Sequence, residues 1–547
     1  MRFKHNRKSY WHVNPRNTLT CDMGYLVPIM IREALPGDTW KVNVADVIRL
    51  LPQLGTTYSD VNVSIMAFKV ATRTIWDDFE KFRTGGKNND DTTEAPYILH
   101  SHSANNVGWS TLSDYLGTAP ALTFYTKDGN GVYQPNTQVC KSSALPERAY
   151  AKIINDWFIN QNIQNELPMS TGNGNDTTTN TALWRRGWNH DYFTNATPYQ
   201  QKGSEVVLPL GTSAPVSVFG TGKTLGLTDG TKNVGLNQIA ISTGYYPQMK
   251  ESAFNVNVGT SISGSSSALN GIGVTTDASK SGLKGTADLS SVSGLPISVL
   301  RLGVKTQEVA ERLMLSGSRY VEWLKSFWGV QSADARLDRS EYVGGTSSNV
   351  IISPVMQTSS TDNVSPQGNI SGNGYHSQIT RTLKATFDED GFFVVLMSIR
   401  PRTQYMQGLE KQFQRWTRMD YPLPAFAHLS EEPILNSEIV LTGVTNGTSS
   451  TDWDDTTLTD NQTFGFKPMF QEVRTIPSTI HGEFLNTLDY WTFGRKFDSV
   501  PALNSDFITC NPTKRPFAVQ SGDVCLCDIL FSVDLYRKFP KKGTPTM

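Results

Sequence analysis

The sequence predicts a mainly β protein, a sandwich of two antiparallel sheets carrying long loop insertions and a few helices. Three observations point there. Gly391–Arg400 (GFFVVLMSIR) is apolar at odd and even positions alike from Phe392 to Ile399, Ser398 excepted, and lies between Gly391 and Pro401. A short run of β-branched and aromatic residues without a 3.6-residue period reads as a strand covered on both faces, in the middle of a sheet. Alternating runs also occur near both ends of the chain, around Trp40 and around Phe531, and the connections between strands are long and irregular. Tandem domains cut from such a chain would leave strand edges unpaired, so strands from both ends are expected in one core.

The elements follow in order. Residues 1–16 carry Arg2, Lys4, Arg7, Lys8 and Arg16 around Tyr10 and Trp11, with no acidic residue before Asp22. This is either an arm that touches phosphates and stacks on bases or a solvated terminus. Tyr25–Ile31 reads as a strand in which Pro28 requires an edge or a bulge. Pro36-Gly37-Asp38 is a turn, after which Trp40, Val42 and Val44 alternate with Lys41 and Asn43. Val61–Val70 is a further alternating strand, leading into Ile75–Phe82, where Trp76, Phe79 and Phe82 share a short helical face. Residues 84–145 are rich in loops. Ala149–Ile163 has helical spacing through Tyr150, Ile154, Trp157, Phe158 and Gln161, with Pro146 suited to its approach. Residues 170–181 read as a polar, mobile loop, and Ala182–Gln201, dense in aromatics, as a packed one.

Composition then changes. Residues 203–295 hold about a third of the chain's 44 glycines, much Ser and Thr, and no Trp, Cys or His. We read an inserted surface lobe, which leaves 1–202 and 296–547 as the core. Lys305–Trp328 reads as a helix with Thr306 as N-cap, Val309, Leu313, Tyr320, Leu324 and Phe327 on one face, and Gly329 at its end. Val330–Gly345 reads as a charged loop, Asn349–Ile352 as a short strand and Tyr405–Trp416 as a short helix. Glu438–Leu441, Phe464–Val473 and Ile529–Leu535 complete the strands.

Charge and composition exclude several classes of function. With 49 basic and 50 acidic residues in 547, net charge −1, the chain is no uniformly basic nucleic-acid binder, although a local basic patch is compatible with it. Aromatic residues at 10%, including 12 Trp, call for a substantial packed core. Five scattered cysteines form no disulfide framework, so reduced thiols and assembly inside a cell are expected. Cys525 and Cys527 share a strand face as small hydrophobes. The N-terminal residues show no signal-peptide core, and no run is long enough for a membrane span. Phe219–Thr224 (FGTGKT) has Ser217 where a phosphate loop needs its first Gly. Asp452, Asp454, Asp455 and Asp460 lack the Gly and Glu of a calcium loop. His100 and His102 have no third ligand. No catalytic constellation, metal site or cofactor is expected.

Several blocks, taken together, resemble a known family. GYLVPIMIREALPGDTW (24–40) precedes IWDDFEKF (75–82), then GSRY (317–320) with GVQSADARLDRSEYVGG (329–345). IRPRTQYMQGLEKQFQR (399–415) leads to YPLPAFAHLSEEPILN (421–436), HGEFLNTLDYWTF (481–493), PALNSDFI (501–508) and a terminal Pro540 to Pro545 stretch. In this order they resemble the major capsid proteins of the Microviridae, small single-stranded DNA phages, and most of all the gokushovirus-like branch. The resemblance spans nearly the whole chain except about 84–145, 203–295 and 443–463.

It implies a viral jelly roll that self-assembles into a small T=1 icosahedral shell around circular single-stranded DNA. The implied partners are further copies of the chain, a minor pilot protein, a small basic DNA-associated protein and a host surface receptor. The inserted lobe would project at the three-fold axes, and the protein would reside in the virion. The residues proposed to face DNA, from their charge and terminal position, are Arg2, Lys4, Arg7 and Lys8, with Trp11 for stacking, and Arg537, Lys538, Lys541 and Lys542. Two other classes compete. A secreted or surface carbohydrate-binding β-sandwich would fit the Gly/Thr-rich lobe but should carry a secretion signal; an enzyme on this scaffold would need converging His or carboxylates.

Overall fold

In the computed structural model, the described residues are 8–204, 297–358, 361, 367–427, 431–442 and 459–541, with short strands between 216 and 287. The first strands are β1 (Ser9–Val13), β2 (Arg16–Cys21), β3 (Leu26–Ala34), β4 (Thr39–Leu50) and β5 (Val61–Ala71). After the insertion come β6 (Glu341–Asn349), β7 (Ile351–Met356), β8 (Ile370–Ile379), β9 (Leu383–Thr386) and β10 (Gly391–Pro401). β11 (Glu431–Leu435), β12 (Thr463–Pro468) and β13 (Cys525–Arg537) close the set.

Two antiparallel sheets form the body. In one, β13 pairs with β1, β2 and β4, and β4 continues through β8 to β7, with β9 also on β4. The other runs β6–β5–β10–β3. Strands from both ends of the chain therefore share one sheet, consistent with the single core expected from the sequence.

β10 is buried along nearly its whole length between β5 and β3. Phe393, Val395, Met397 and Ile399 join Trp40, Val42, Val44, Ile48 and Phe531 of the opposing sheet in one core, and the Trp40 and Phe393 rings stack at 5.6 Å. The intervening Val394 and Leu396 pack with Phe68, Val70 and with Tyr150, Ile153 and Ile154 of the helix Leu145–Trp157. Each parity of the strand has its own apolar cover, which is why the run shows no alternation. The structure shows both of the alternatives offered by Pro28: β3 is the outer strand, and its register steps from Met30/Val395 to Pro28/Leu396, leaving Ile29 out of the pairing.

Several local expectations yield to tertiary contacts. The helix Ile297–Ser316 starts well before Thr306, whose hydroxyl donates to Leu302 O from inside the helix. Gly317, at φ +91°, ends it, and a separate turn, Tyr320–Trp323 continuing to Trp328, stops at Gly329. Asn349–Ile352 is two strand ends. Buried Val350 lies between them, where the chain crosses from one sheet to the other. Part of the expected charged loop, Glu341–Gly345, accordingly lies in β6.

Tyr405–Trp416 is irregular, with one 3-10 turn at Lys411–Phe413, because its backbone is drawn onto residues 436–438. Leu409 N donates to Ser437 O, and Gly408 approaches Glu438 O so closely that no Cβ would fit. Glu438–Leu441 is correspondingly no strand; Asn436–Glu438 is a 3-10 turn and β11 precedes it. β12 stops at Pro468, short of Val473. The polar stretch 170–181 is tethered: buried Arg148 pairs with Asp176 at 2.8 Å and donates to Gly172 O.

The chain divides into two compact units, Met1–Lys202 with Glu311–Met547, and Gly203–Ala310. Within the second, Val216–Gly220 pairs with Leu283–Ala287, and Asn233–Ile241 with Gly244–Met249. Most of Phe219–Thr224, and Asp452 to Asp455, lie outside the described residues.

Candidate nucleic-acid and subunit-contact surfaces

The register of β1 on β13 brings the described ends of the two basic runs together. Ser9 lies opposite Arg537, which places Lys8 beside Lys538 on one sheet edge. Lys8, Lys538 and Lys541 are exposed. Two tyrosines border them: the Tyr10 and Tyr536 rings lie 5.2 Å apart, and Lys41 Nζ sits 5.3 Å from the Tyr536 ring centre. Trp11, opposite Leu535, is half-buried. Asp534 lies in this cluster too; hydrogen bonds from the Tyr10 hydroxyl and with His12 hold its carboxyl below the usual range.

Arg537 is also bound into the fold. Its guanidinium donates to the buried Asp38 carboxylate at 2.6 Å and to Glu33 O at 3.1 Å, and so ties the last strand to the Pro36–Asp38 turn. Arg2, Lys4, Arg7 and Lys542 lie outside the described residues. Sequence reasoning found the two basic runs but not their meeting. The signal available was the alternation of Ile529–Leu535, which marks the strand without naming its partner.

A second surface is apolar. Phe413, Trp416, Met419, Tyr421 and Leu423 are all exposed, Trp416 by 74%, and Val473 and Ile476 present further apolar surface. Trp, Tyr, Phe and Met are the residues enriched where proteins meet. β7, the outer strand of its sheet, exposes Ile351, Val355 and Met356 beside an unpaired backbone edge.

One arrangement escaped the sequence reading. Ser348 Oγ lies 2.7 Å from His376 Nε2, and His376 Nδ1 lies 2.7 Å from Asp46 Oδ2, the connectivity of a nucleophile, base and orienting acid. His376 and Asp46 are buried, and Ser348 Oγ also donates to Gln378 Oε1 at 2.5 Å. The trio instead links β6 of one sheet to β4 and β8 of the other. His100 Nε2 pairs with Ser142, and His102 Nε2 with Phe124 O; among the described residues no cluster suited to a metal ion occurs. Cys21, Cys525 and Cys527 meet in the core, with Cys21 and Cys527 sulfurs 3.8 Å apart. Among the described residues no helix is long and apolar enough to cross a membrane.

A β body of two sheets with exposed aromatic surface and no metal cluster among the described residues is consistent with a structural protein. Comparison with known proteins identifies the family: the sequence matches the phage capsid protein (F protein) family over residues 2–547, and the chain belongs to it. It is 33% identical to capsid protein VP1 of Bdellovibrio phage phiMH2K, over 95% of this chain and 92% of that protein. Identity to capsid protein VP1 of Chlamydia phage 1 is 31%, over 96% and 93% of the two chains. For capsid protein VP1 of Spiroplasma virus 4 it is 29%, over 99% and 95%. These are capsid proteins of the Microviridae, and the protein described here is a capsid component of the virion.

Proposed function

We propose that the chain builds a small T=1 icosahedral shell of jelly-roll subunits around circular single-stranded DNA. The core is formed by 1–202 and 296–547, and 203–295 is the outward, three-fold protrusion that attaches to a host receptor. The observation that carries this reading is the pairing of β1 with β13, which sets Lys8 beside Lys538 on one sheet edge, with tyrosines next to these exposed lysines. Such a patch neutralises phosphates and offers ring faces to unpaired bases.

Arg2, Lys4, Arg7, Lys8, Arg537, Lys538, Lys541 and Lys542 face the genome in this reading, Trp11 stacks, and Arg537 also holds the strand that presents them. Near-zero net charge leaves much of the genome's charge to a small basic DNA-associated protein, and a minor pilot protein completes the particle. Electron microscopy of the expressed protein tests the shell: uniform closed particles are expected, and stable monomers alone would overturn it. Replacing 215–285 with a short Gly/Ser linker should leave shells intact and abolish host attachment. Replacing Lys8 and Lys538 by Gln should lower the DNA retained per shell; unchanged retention counts against the assigned face.

A further inference from the structure

Arg186 and Arg400 share a cavity of about 380 Å³ in the core body. Buried cations are ordinarily paired with an acid or fully hydrogen-bonded. Neither is the case here. Arg400, only 6% exposed, donates through Nη1 to Gly187 O at 2.5 Å, but its buried Nε has no acceptor. Arg186 packs against the Phe158 ring at 5.2 Å, and its buried Nη1 has no acceptor either. Among the described residues no carboxylate forms an ion pair with these two.

Asp191, the acid closest in sequence, accepts from the Thr403 and Tyr405 hydroxyls. Burial pushes the Arg186 guanidinium down to about 9, with the Arg400 charge adding to the effect, and burial lowers Arg400 as well. Two guanidiniums thus line one cavity without a neutralising acid, each with a buried donor still to be satisfied.

The remaining walls narrow the chemistry. Trp157, Phe158 and Trp188 line the cavity, and Asn160 and Gln164 add amide groups. Guanidinium forks match phosphate oxygens, ring faces match a nucleobase, and side-chain amides match a base edge. The volume lies within the range of small-molecule pockets. A simple carboxylate would leave the aromatic walls without a role. We propose that this cavity is a nucleotide site, with the phosphate held by Arg186 and Arg400 and the base against Trp157, Phe158 and Trp188. It is separate from the patch at the termini and does not depend on it. The phosphate comes either from a free nucleotide or from a nucleotide within a DNA strand.

Thermal melting and equilibrium dialysis of the purified full chain test this with inorganic phosphate, thymidine, dTMP and a ten-residue oligothymidylate. Wild-type protein should be stabilised by dTMP and oligothymidylate, weakly by phosphate, and not by thymidine. Arg186→Gln should weaken dTMP binding at least tenfold while melting, without ligand, at or above the wild-type temperature, because it removes a half-buried charge that no acid neutralises. Arg400→Lys, which keeps the charge and loses the fork, should also weaken dTMP at least tenfold. Oligothymidylate binding tenfold tighter than dTMP assigns the site to strand DNA, and equal binding assigns it to free nucleotide. The proposal is overturned if dTMP binds wild type and both variants equally, if acetate stabilises where dTMP does not, or if unliganded Arg186→Gln melts well below wild type.

Discussion

β10 and the stretch that follows it, residues 402–441, are both rich in aromatic and aliphatic residues, yet they are used in opposite ways. Val394, Val395, Leu396 and Met397 are fully buried between two layers, whereas Phe413, Trp416, Met419, Tyr421 and Leu423 face solvent. The difference lies in the backbone. β10 satisfies its amides within a sheet, so both its faces are free to be covered. The following stretch satisfies several of its own through Leu409 to Ser437 O, Leu441 to Gln407 O and Tyr405 to Ser478 O, contacts that fix the path without burying the rings. Apolar surface in the first serves the subunit's own core; in the second it stays exposed, as surface that meets another protein does.

Substitutions can break or sharpen that contrast. The largest effect is expected from Val395→Asp, which places an unpaired charge in a fully buried strand. The desolvation cost, several kcal/mol, is comparable to a domain's whole stability, so soluble folded protein should be lost, as circular dichroism will show. Asp38→Ala removes the buried acceptor of both Arg537 and the Leu35 amide. Arg537 is partly exposed and screened, so we expect about 2–4 kcal/mol in urea unfolding, below the value for a fully buried pair.

Glu147 gives a smaller, pH-dependent effect. Burial raises its carboxyl to about 7, against about 4.3 in an unfolded chain. The folded protein therefore keeps a proton that the unfolded chain releases, and stability should fall as pH rises between those values. Glu147→Gln should flatten that slope, measured as melting temperature across the interval. The smallest stability change belongs to Trp416→Ser with Tyr421→Ser. Subunit stability should move by less than about 0.5 kcal/mol per site, while the yield of closed shells in sedimentation falls severalfold. Full shell yield would show that the exposed rings are not contact surface.

The sequence by itself determined the layered burial of β10, an edge or a bulge at Pro28, the alternation of β4 and β13, and, through ordered blocks from residue 24 onward, the family. These rest on side-chain period and backbone sterics, which act over a few residues and are written locally. Only the tertiary structure decided that β1 lies on β13, that the chain changes sheets at Val350, that residues 405–416 give up a helix, and that Arg186 meets Arg400. Each depends on which amides and charges from distant parts of the chain find one another once the core closes. That choice is made by three-dimensional proximity and desolvation, and neither has a local period to read.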